Sequence, residues 1–220
     1  FILRVEMSVE NLLLKRHNVF KFSDKLPDES IISEILDISF YSPSFGNLMP
    51  WKIYVLGPNK NSNEIKKDIY EKVMIPHYKE FNYYHNFQSL APYVFLYCKR
   101  FIDIEDVKGI KAWFFKYYNG YRHYHEKRRL KEFYQGSIEM GIHSAYMNLL
   151  AIERGMECGY AKCFNPENFK KEISLVKEDE EPEFMLAMGY KDSPFMMNAY
   201  APDYVKFKRP PKQKIYDWVK

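Results

Sequence analysis

Three cysteines are too few, and too irregularly spaced, to staple or metallate this chain. Cys98, Cys158 and Cys163 are odd in number and show no zinc-ligand spacing. A reduced, cytoplasmic setting is therefore expected. Also missing is any apolar run long enough to span a bilayer, and no secretory leader pattern is read, so no membrane association is expected. Charge of one sign is scarce: the formal net charge is only +4. That bias suits an anionic small ligand but is too small to imply nucleic acid. Internal repeats and clean linkers are absent as well, and residues 1–220 are read as one domain.

What the chain has is apolar mass. Of its 220 residues 46% are hydrophobic and 18% aromatic, which excludes a disordered chain and suffices for a buried core. Ser8 to Arg16 reads as a short helix with Val9, Leu12 and Leu13 on one side. Pro27-Asp28 opens the next helix, where Ile31, Ile32, Ile35 and Leu36 recur at helical spacing and Asp28-Glu29 suit its positive end. Trp51 to Leu56 reads as a strand closed by Gly57-Pro58-Asn59, and Ser62 to about Lys79 as a charged surface helix. Tyr93 to Cys98 is nearly all apolar and so predicts a central strand.

Gln135 to Arg154 predicts a long amphipathic helix ended by Gly155, with Gly141 and Ala145 spaced to admit another backbone. Phe184 to Met188 is a third strand, and Pro194, Pro202, Pro210 and Pro211 mark an extended C-terminal arm. Helices separated by apolar strands make an α+β arrangement of helices around a small sheet.

The remaining chemistry-bearing residues are thin. His123 and His125 alternate as on a strand, but no carboxylate or cysteine joins them at ligand spacing, so no metal is expected. Lys127-Arg128-Arg129 reads as a solvated helix face, and no nucleophile elbow is present.

The informative stretch is Ser42-Pro43-Ser44-Phe45-Gly46-Asn47-Leu48-Met49-Pro50-Trp51. Two prolines, a glycine and an asparagine between a helix and a strand predict a rigid loop carrying small polar groups. Such a loop can lie against a flat, polar-edged ligand. Upstream, Arg16-His17-Asn18 places a cation, an imidazole and an amide in a row, suited to a phosphate. A phosphate clamp beside ring-edge polar groups suggests a flavin mononucleotide (FMN) site.

The segment RHNVFKFSDKLPDESIISEILDISFYSPSFGNLMPW resembles the opening of the FMN-dependent nitroreductases. Their pattern is roughly Arg-Arg/His-Ser-x-Arg/Lys-x-Phe, a helix, then Pro-Ser-x-x-Asn-x-Gln-Pro-Trp. The likeness continues at GIHSAYMNLLAIERGMECGYAKCF and EPEFMLAMGYKDS, and weakly at KFKRPP. It covers most of the chain outside residues 101–134.

The resemblance implies a nitroreductase-like fold with a mainly antiparallel sheet. It also implies an intertwined homodimer with two FMN sites at the interface, built on the helix over 135–154 and the C-terminal arm over 194–220. Arg16, His17 and Asn18 would hold the phosphate, with Asn18 in the family's serine position, and Lys206, Lys208 and Arg209 would form its second basic cluster. Phe20 stands where the family usually has a lysine or arginine near the flavin's pyrimidine edge. Pro43, Ser44, Phe45 and Asn47 match the loop that meets the ring from the partner subunit. Phe45 replaces a small residue there, and Met49 a glutamine. Ala161, Lys162 and Cys163 match the loop over the flavin's reactive edge. No catalytic side chain is implied: the backbone amides of Lys162 and Cys163 would donate to the ring. Cys163 reads as a small buried hydrophobe or a redox-active thiol, and a bridge to Cys158 is open.

Residues 101–134 would form a lid, in which Trp113, Phe114, Phe115, Tyr117, Tyr118, Tyr121 and Tyr124 are either a roof for flat substrates or core and interface. The implied activity is a ping-pong oxidoreductase. NADH or NADPH reduces the flavin, and a small aromatic acceptor such as a nitroaromatic or quinone, or free flavin, takes the electrons. The alternatives are a specialised relative of dehalogenase, flavin-destroying or heterocycle-oxidising type, and a flavin-binding protein with little turnover.

Overall fold

The computed structural model describes residues 8–44, 47, 49–74, 87–99 and 137–192. Helix α1 spans Val9–Lys15, capped by the Ser8 hydroxyl, which accepts the Asn11 N–H. Helix α2 spans Glu29–Ser39 and is capped by Asp28, whose carboxylate accepts both the N–H and the hydroxyl of Ser30. Strand β1 is Trp51–Leu56. Helix α3 runs Lys60–Asp68 and passes into a π turn over Ile69–Val73. After a short 3-10 turn at Phe87–Leu90 comes β2, Tyr93–Lys99. Helix α4 is Ser137–Glu153, β3 is Glu157–Ala161, α5 is Pro166–Glu172 and β4 is Glu181–Gly189.

The four strands form one sheet in the order β1-β2-β4-β3, and every pair is antiparallel. The sheet is the middle of three layers. Tyr93, Phe95 and Tyr97 of β2 and Leu186 and Met188 of β4 face α2 and α4, meeting Ile32, Ile35, Met140 and Met147. Val94, Leu96 and Cys98, with Met185 and Ala187, face the other way onto Ile69, Val73, Phe169 and Ile173. Burial on both faces explains why β2 and β4 carry few polar residues. Full burial of each large side chain, Phe95 and Leu186 among them, contributes roughly 1.5–3 kcal/mol.

The expected strand at 93–98 is thus central, and the expected strand at 184–188 is longer and equally central. The helix expected from Ser62 starts at Lys60, because the Asn59 side chain accepts the Ser62 N–H and caps it. It is not uniformly a surface helix: Lys66 is buried, and its ammonium donates to the carbonyls of Ala91 and Pro92 at 2.9 and 3.2 Å. Burial lowers the pKa of Lys66 to about 8. Gly155 closes α4 at φ 75°, as its position predicts. Strand β3 and helix α5 were not anticipated. No helix among the described residues is long and apolar enough to cross a membrane.

Candidate functional site

The segment that follows α1 runs along the outer edge of β3. The Val19 N–H donates to the Cys158 carbonyl at 3.0 Å, and the Tyr160 N–H donates to Asn18 Oδ1 at 2.6 Å. Further on, Phe22 bridges to Lys191, and the Ser23 N–H donates to the Tyr190 carbonyl at 2.8 Å. The approach of this segment depends on Gly159. A Cβ there would lie 1.9 Å from the Val19 carbonyl oxygen and 2.4 Å from Gln88 Nε2. Gln88 itself donates to that carbonyl at 2.8 Å.

Arg16 is half-buried and, among the described residues, has no carboxylate partner; its charge acts on the Tyr160 hydroxyl. Burial pushes Tyr160 up, and hydrogen bonds from Ser144 and Asn148 work against that. In the ring of His17, Nδ1 meets the Lys15 carbonyl at 3.0 Å, and Nε2 lies 3.3 Å from a Glu157 carboxylate oxygen. Glu157 is also paired with Lys191, at 3.1 Å. His17 is therefore turned toward Glu157, whereas the Nδ2 group of Asn18 has no partner among the described residues. Phe20 is half-buried, and its neighbour Lys21 pairs with Asp192 at 2.9 Å.

The loop after α2 is held by its own polar groups. Ser44 Oγ accepts the Met49 N–H at 3.2 Å, and the Ser44 carbonyl accepts the Asn47 N–H at 3.0 Å. Asn47 and Met49 have φ of 54° and 47°. Asparagine tolerates that region, but for methionine it costs on the order of 1–2 kcal/mol. Pro43 and Asn47 are exposed and Ser44 is half-buried. Phe45 lies outside the described residues, as do Lys206, Lys208, Arg209 and residues 101–134.

The third expected site segment begins as strand, not loop. Ala161 is the buried last residue of β3; Lys162 is exposed and Cys163 is half-buried against the apolar cluster under the sheet. All three cysteines are free thiols, so Cys158 and Cys163 do not bridge. Burial pushes the Cys98 thiol up to about 12 and raises Cys158 as well. The Lys162 ammonium bonds the Glu183 carboxylate, whose second oxygen holds Lys99 at 2.8 Å. Glu183 arrives there through a β-bulge: Tyr97 pairs with Phe184 but Cys98 with Pro182, leaving Glu183 as the extra residue. Burial raises the Glu183 carboxyl, yet the hydrogen bonds from Lys162 and Lys99 outweigh it and hold it below its usual range.

Three residues beside these segments went unread in the sequence: Gln88, Glu183 and His143. His143 is buried, with Nδ1 2.8 Å from the Tyr97 hydroxyl and Nε2 3.2 Å from Ser39 Oγ. Burial lowers its pKa to about 4. Their partners are distant in sequence, so no local motif marks them.

The chain is similar over 97% of its length to a protein assigned as an NAD(P)H:FMN oxidoreductase from Staphylococcus epidermidis ATCC 12228. That match has a TM-score of 0.72 and 17% identity, and covers 97% of that chain. A protein from Exiguobacterium sibiricum 255-15, assigned as a nitroreductase and solved in complex with FMN, matches with TM-score 0.64 and 15% identity, covering 97% of this chain and 98% of that one. A variant of the FMN- and NADPH-dependent nitroreductase NfnB from Sphigopyxis sp. strain HMH matches with TM-score 0.63 and 16% identity, covering 97% and 100%. No curated protein matches the sequence. A profile of the Nitroreductase family matches residues 13–190, and the chain belongs to that family.

Proposed function

We propose that this chain is a cytoplasmic, single-domain flavin oxidoreductase that binds FMN and uses NADH or NADPH to reduce a small electron-poor acceptor. The observation that carries this is a half-buried Arg16, without a carboxylate partner among the described residues, two positions before Asn18, which bonds the edge of the strand that leads to Lys162 and Cys163. A guanidinium without a carboxylate partner among the described residues suits a phosphate dianion, so the residues fit FMN.

FMN, when bound, supplies the carrier that takes electrons from the nicotinamide and passes them to a nitroaromatic, a quinone or free flavin. Arg16 and the Asn18 Nδ2 group would hold its phosphate, with Lys206, Lys208 and Arg209 offered to the same group. The Lys162 and Cys163 N–H groups would donate to the ring edge, where fixed backbone donors need no reorganisation. Pro43, Ser44, Phe45 and Asn47 would meet the ring from a partner subunit, and residues 101–134 would cover it. His17 would stand beside Arg16 in the same phosphate seat, with Nδ1 on the Lys15 carbonyl.

A homodimer is part of this reading, and the outer face of α4 supports it. Ile138 is 73% exposed and Tyr146 41%, with Gly141 and Ala145 exposed between them. On α1, Val9 and Leu13 are also exposed. Such a stripe wants a covering surface, and its small residues allow a second helix close approach. Membrane and nucleic-acid partners are not part of this reading.

One observation favours a second reading, a flavin-binding protein with little turnover. Phe20 occupies the usual cation position, and Lys21 is committed to Asp192. A visible spectrum of the purified protein, before and after anaerobic NADPH, separates the two. A flavin spectrum that bleaches within seconds supports the reductase. A flavin spectrum that persists supports the second reading, and failure to bind added FMN overturns both.

A further inference from the structure

Helix α4 sends one imidazole to both stems of the loop over 42–50. On the near stem, His143 Nε2 lies 3.2 Å from the hydroxyl oxygen of Ser39, the last residue of α2, and the Ser39 carbonyl accepts the Ser42 N–H at 2.9 Å. On the far stem, the imidazole centroid is 5.6 Å from the ring of Trp51, the first residue of β1, whose N–H donates to the Met49 carbonyl at 2.7 Å. Between the stems the chain holds two non-glycine residues at positive φ, Asn47 and Met49. Such backbone persists only where its surroundings over-determine it. Ser44 accepts the N–H groups of both, and fixed stems hold the ends.

The donors decide where the protons lie. The Ser39 hydroxyl donates to the Leu36 carbonyl at 2.9 Å, so Nε2 must carry hydrogen to bond Ser39. Nδ1 then accepts from the Tyr97 hydroxyl at 2.8 Å. The opposite tautomer would leave Tyr97 the Met147 sulfur, a weak acceptor, and would draw the Ser39 proton away from Leu36. We infer that His143, neutral and protonated at Nε2, is a positioning residue that fixes both stems of the loop over 42–50. The loop therefore moves with α4, whose outer face exposes Ile138 and Tyr146. That the loop in turn orients a flavin ring rests on the flavin reading above; the fixing of its stems does not.

Amide hydrogen exchange without flavin tests the positioning. His143→Phe keeps a ring against Trp51 but loses the bonds to Ser39 and Tyr97. Exchange at Asn47 and Met49 should accelerate about tenfold or more, and by a larger factor than at Phe95 and Leu186 in the central strands. A merely structural histidine would move the central amides, which open only with the whole fold, and leave the loop amides unchanged. That result, or equal acceleration of both sets, would overturn the inference. If His143→Phe does not fold, Ser39→Ala removes the Nε2 partner alone, and the same loop amides should accelerate. The nitrogen spectrum of His143 at pH 7 should show the Nε2–H form; an Nδ1–H form would overturn the bond to Ser39. The loop is offered to the flavin ring, so the dissociation constants of FMN and riboflavin should rise in His143→Phe by a similar factor, about threefold or more. Unchanged constants beside accelerated loop exchange would sever the loop from the ring. If wild-type protein binds neither flavin, the flavin reading fails, and the exchange result still decides the positioning.

Discussion

At the scale of single residues, the site hangs on positions with little room to vary. Gly159→Ala would push a Cβ into the Val19 carbonyl oxygen. Backbone must yield there, so a loss of about 3 kcal/mol or more is expected, read as a lowered Tm together with poor flavin retention. Arg16→Ala should weaken FMN binding about tenfold or more and leave riboflavin binding nearly unchanged, since only FMN carries the charge; titration by flavin fluorescence checks both. His143 sets an acid limit. Its folded pKa of about 4 lies below the ordinary 6.5, so the unfolded chain binds the extra proton between those values. Stability is complete above pH 6.5 and falls as pH drops toward 4, by on the order of 3 kcal/mol. In His143→Phe the Tyr97 hydroxyl keeps Met147 Sδ and Ser39 keeps the Leu36 carbonyl as partners. That variant should lose less stability than wild type between pH 7 and pH 5, measured by denaturant titration.

The residues of this scale that sequence reveals are those with short-range signatures. Arg16 and Asn18 share a tripeptide, and Ser44 and Asn47 share a loop. Gln88 and Glu183 reach their partners across 69 and 21 residues, and a bulge re-aims Glu183. Nothing in their neighbourhoods announces either.

At the scale of elements, legibility follows the strength of the periodic pattern. Helix α2 has its cap and four well-placed apolar residues, and β1 and β2 are bounded by turn residues and filled with large apolar ones. All three sit within a residue or two of where the pattern puts them. Strand β3 hides because it is five residues long and contains Gly159, which reads as a break but is there for close approach. Helix α5 hides because it is seven residues long, although Asn165 and Pro166 are a cap and first-turn pair. The outer face of α4 carries the dimer proposal. Ala145→Arg should leave the α4 core contacts intact, since Ala145 is exposed. Sedimentation should then show a monomer with reduced flavin content; a dimer with full flavin content would refute the shared-interface arrangement.

For the whole molecule, ligand linkage gives the simplest check. FMN present at about 100 times its dissociation constant should stabilise the folded state by about 2.7 kcal/mol. For a chain of this size that lifts Tm by roughly 5–10 °C. Riboflavin at the same molar concentration should give a smaller shift, and an absent shift with FMN would mean that the folded protein does not bind it. If the dimer forms, Tm should also rise with protein concentration in the absence of flavin.

The sheet order has a consequence in time as well as in space. Strand β2 is buried on both faces, yet one of its neighbours, β4, ends at Gly189. During synthesis the residues 93–99 therefore leave the ribosome with only β1 available, and wait for some ninety more peptide bonds, roughly 5–20 s at ordinary elongation rates, before their other edge is covered. Pairing over such separations is intrinsically slow. For that interval an apolar ribbon with an open edge is exposed to other nascent chains. Yield in expression should therefore depend more on temperature and on chaperone supply than the equilibrium stability of the finished protein would suggest.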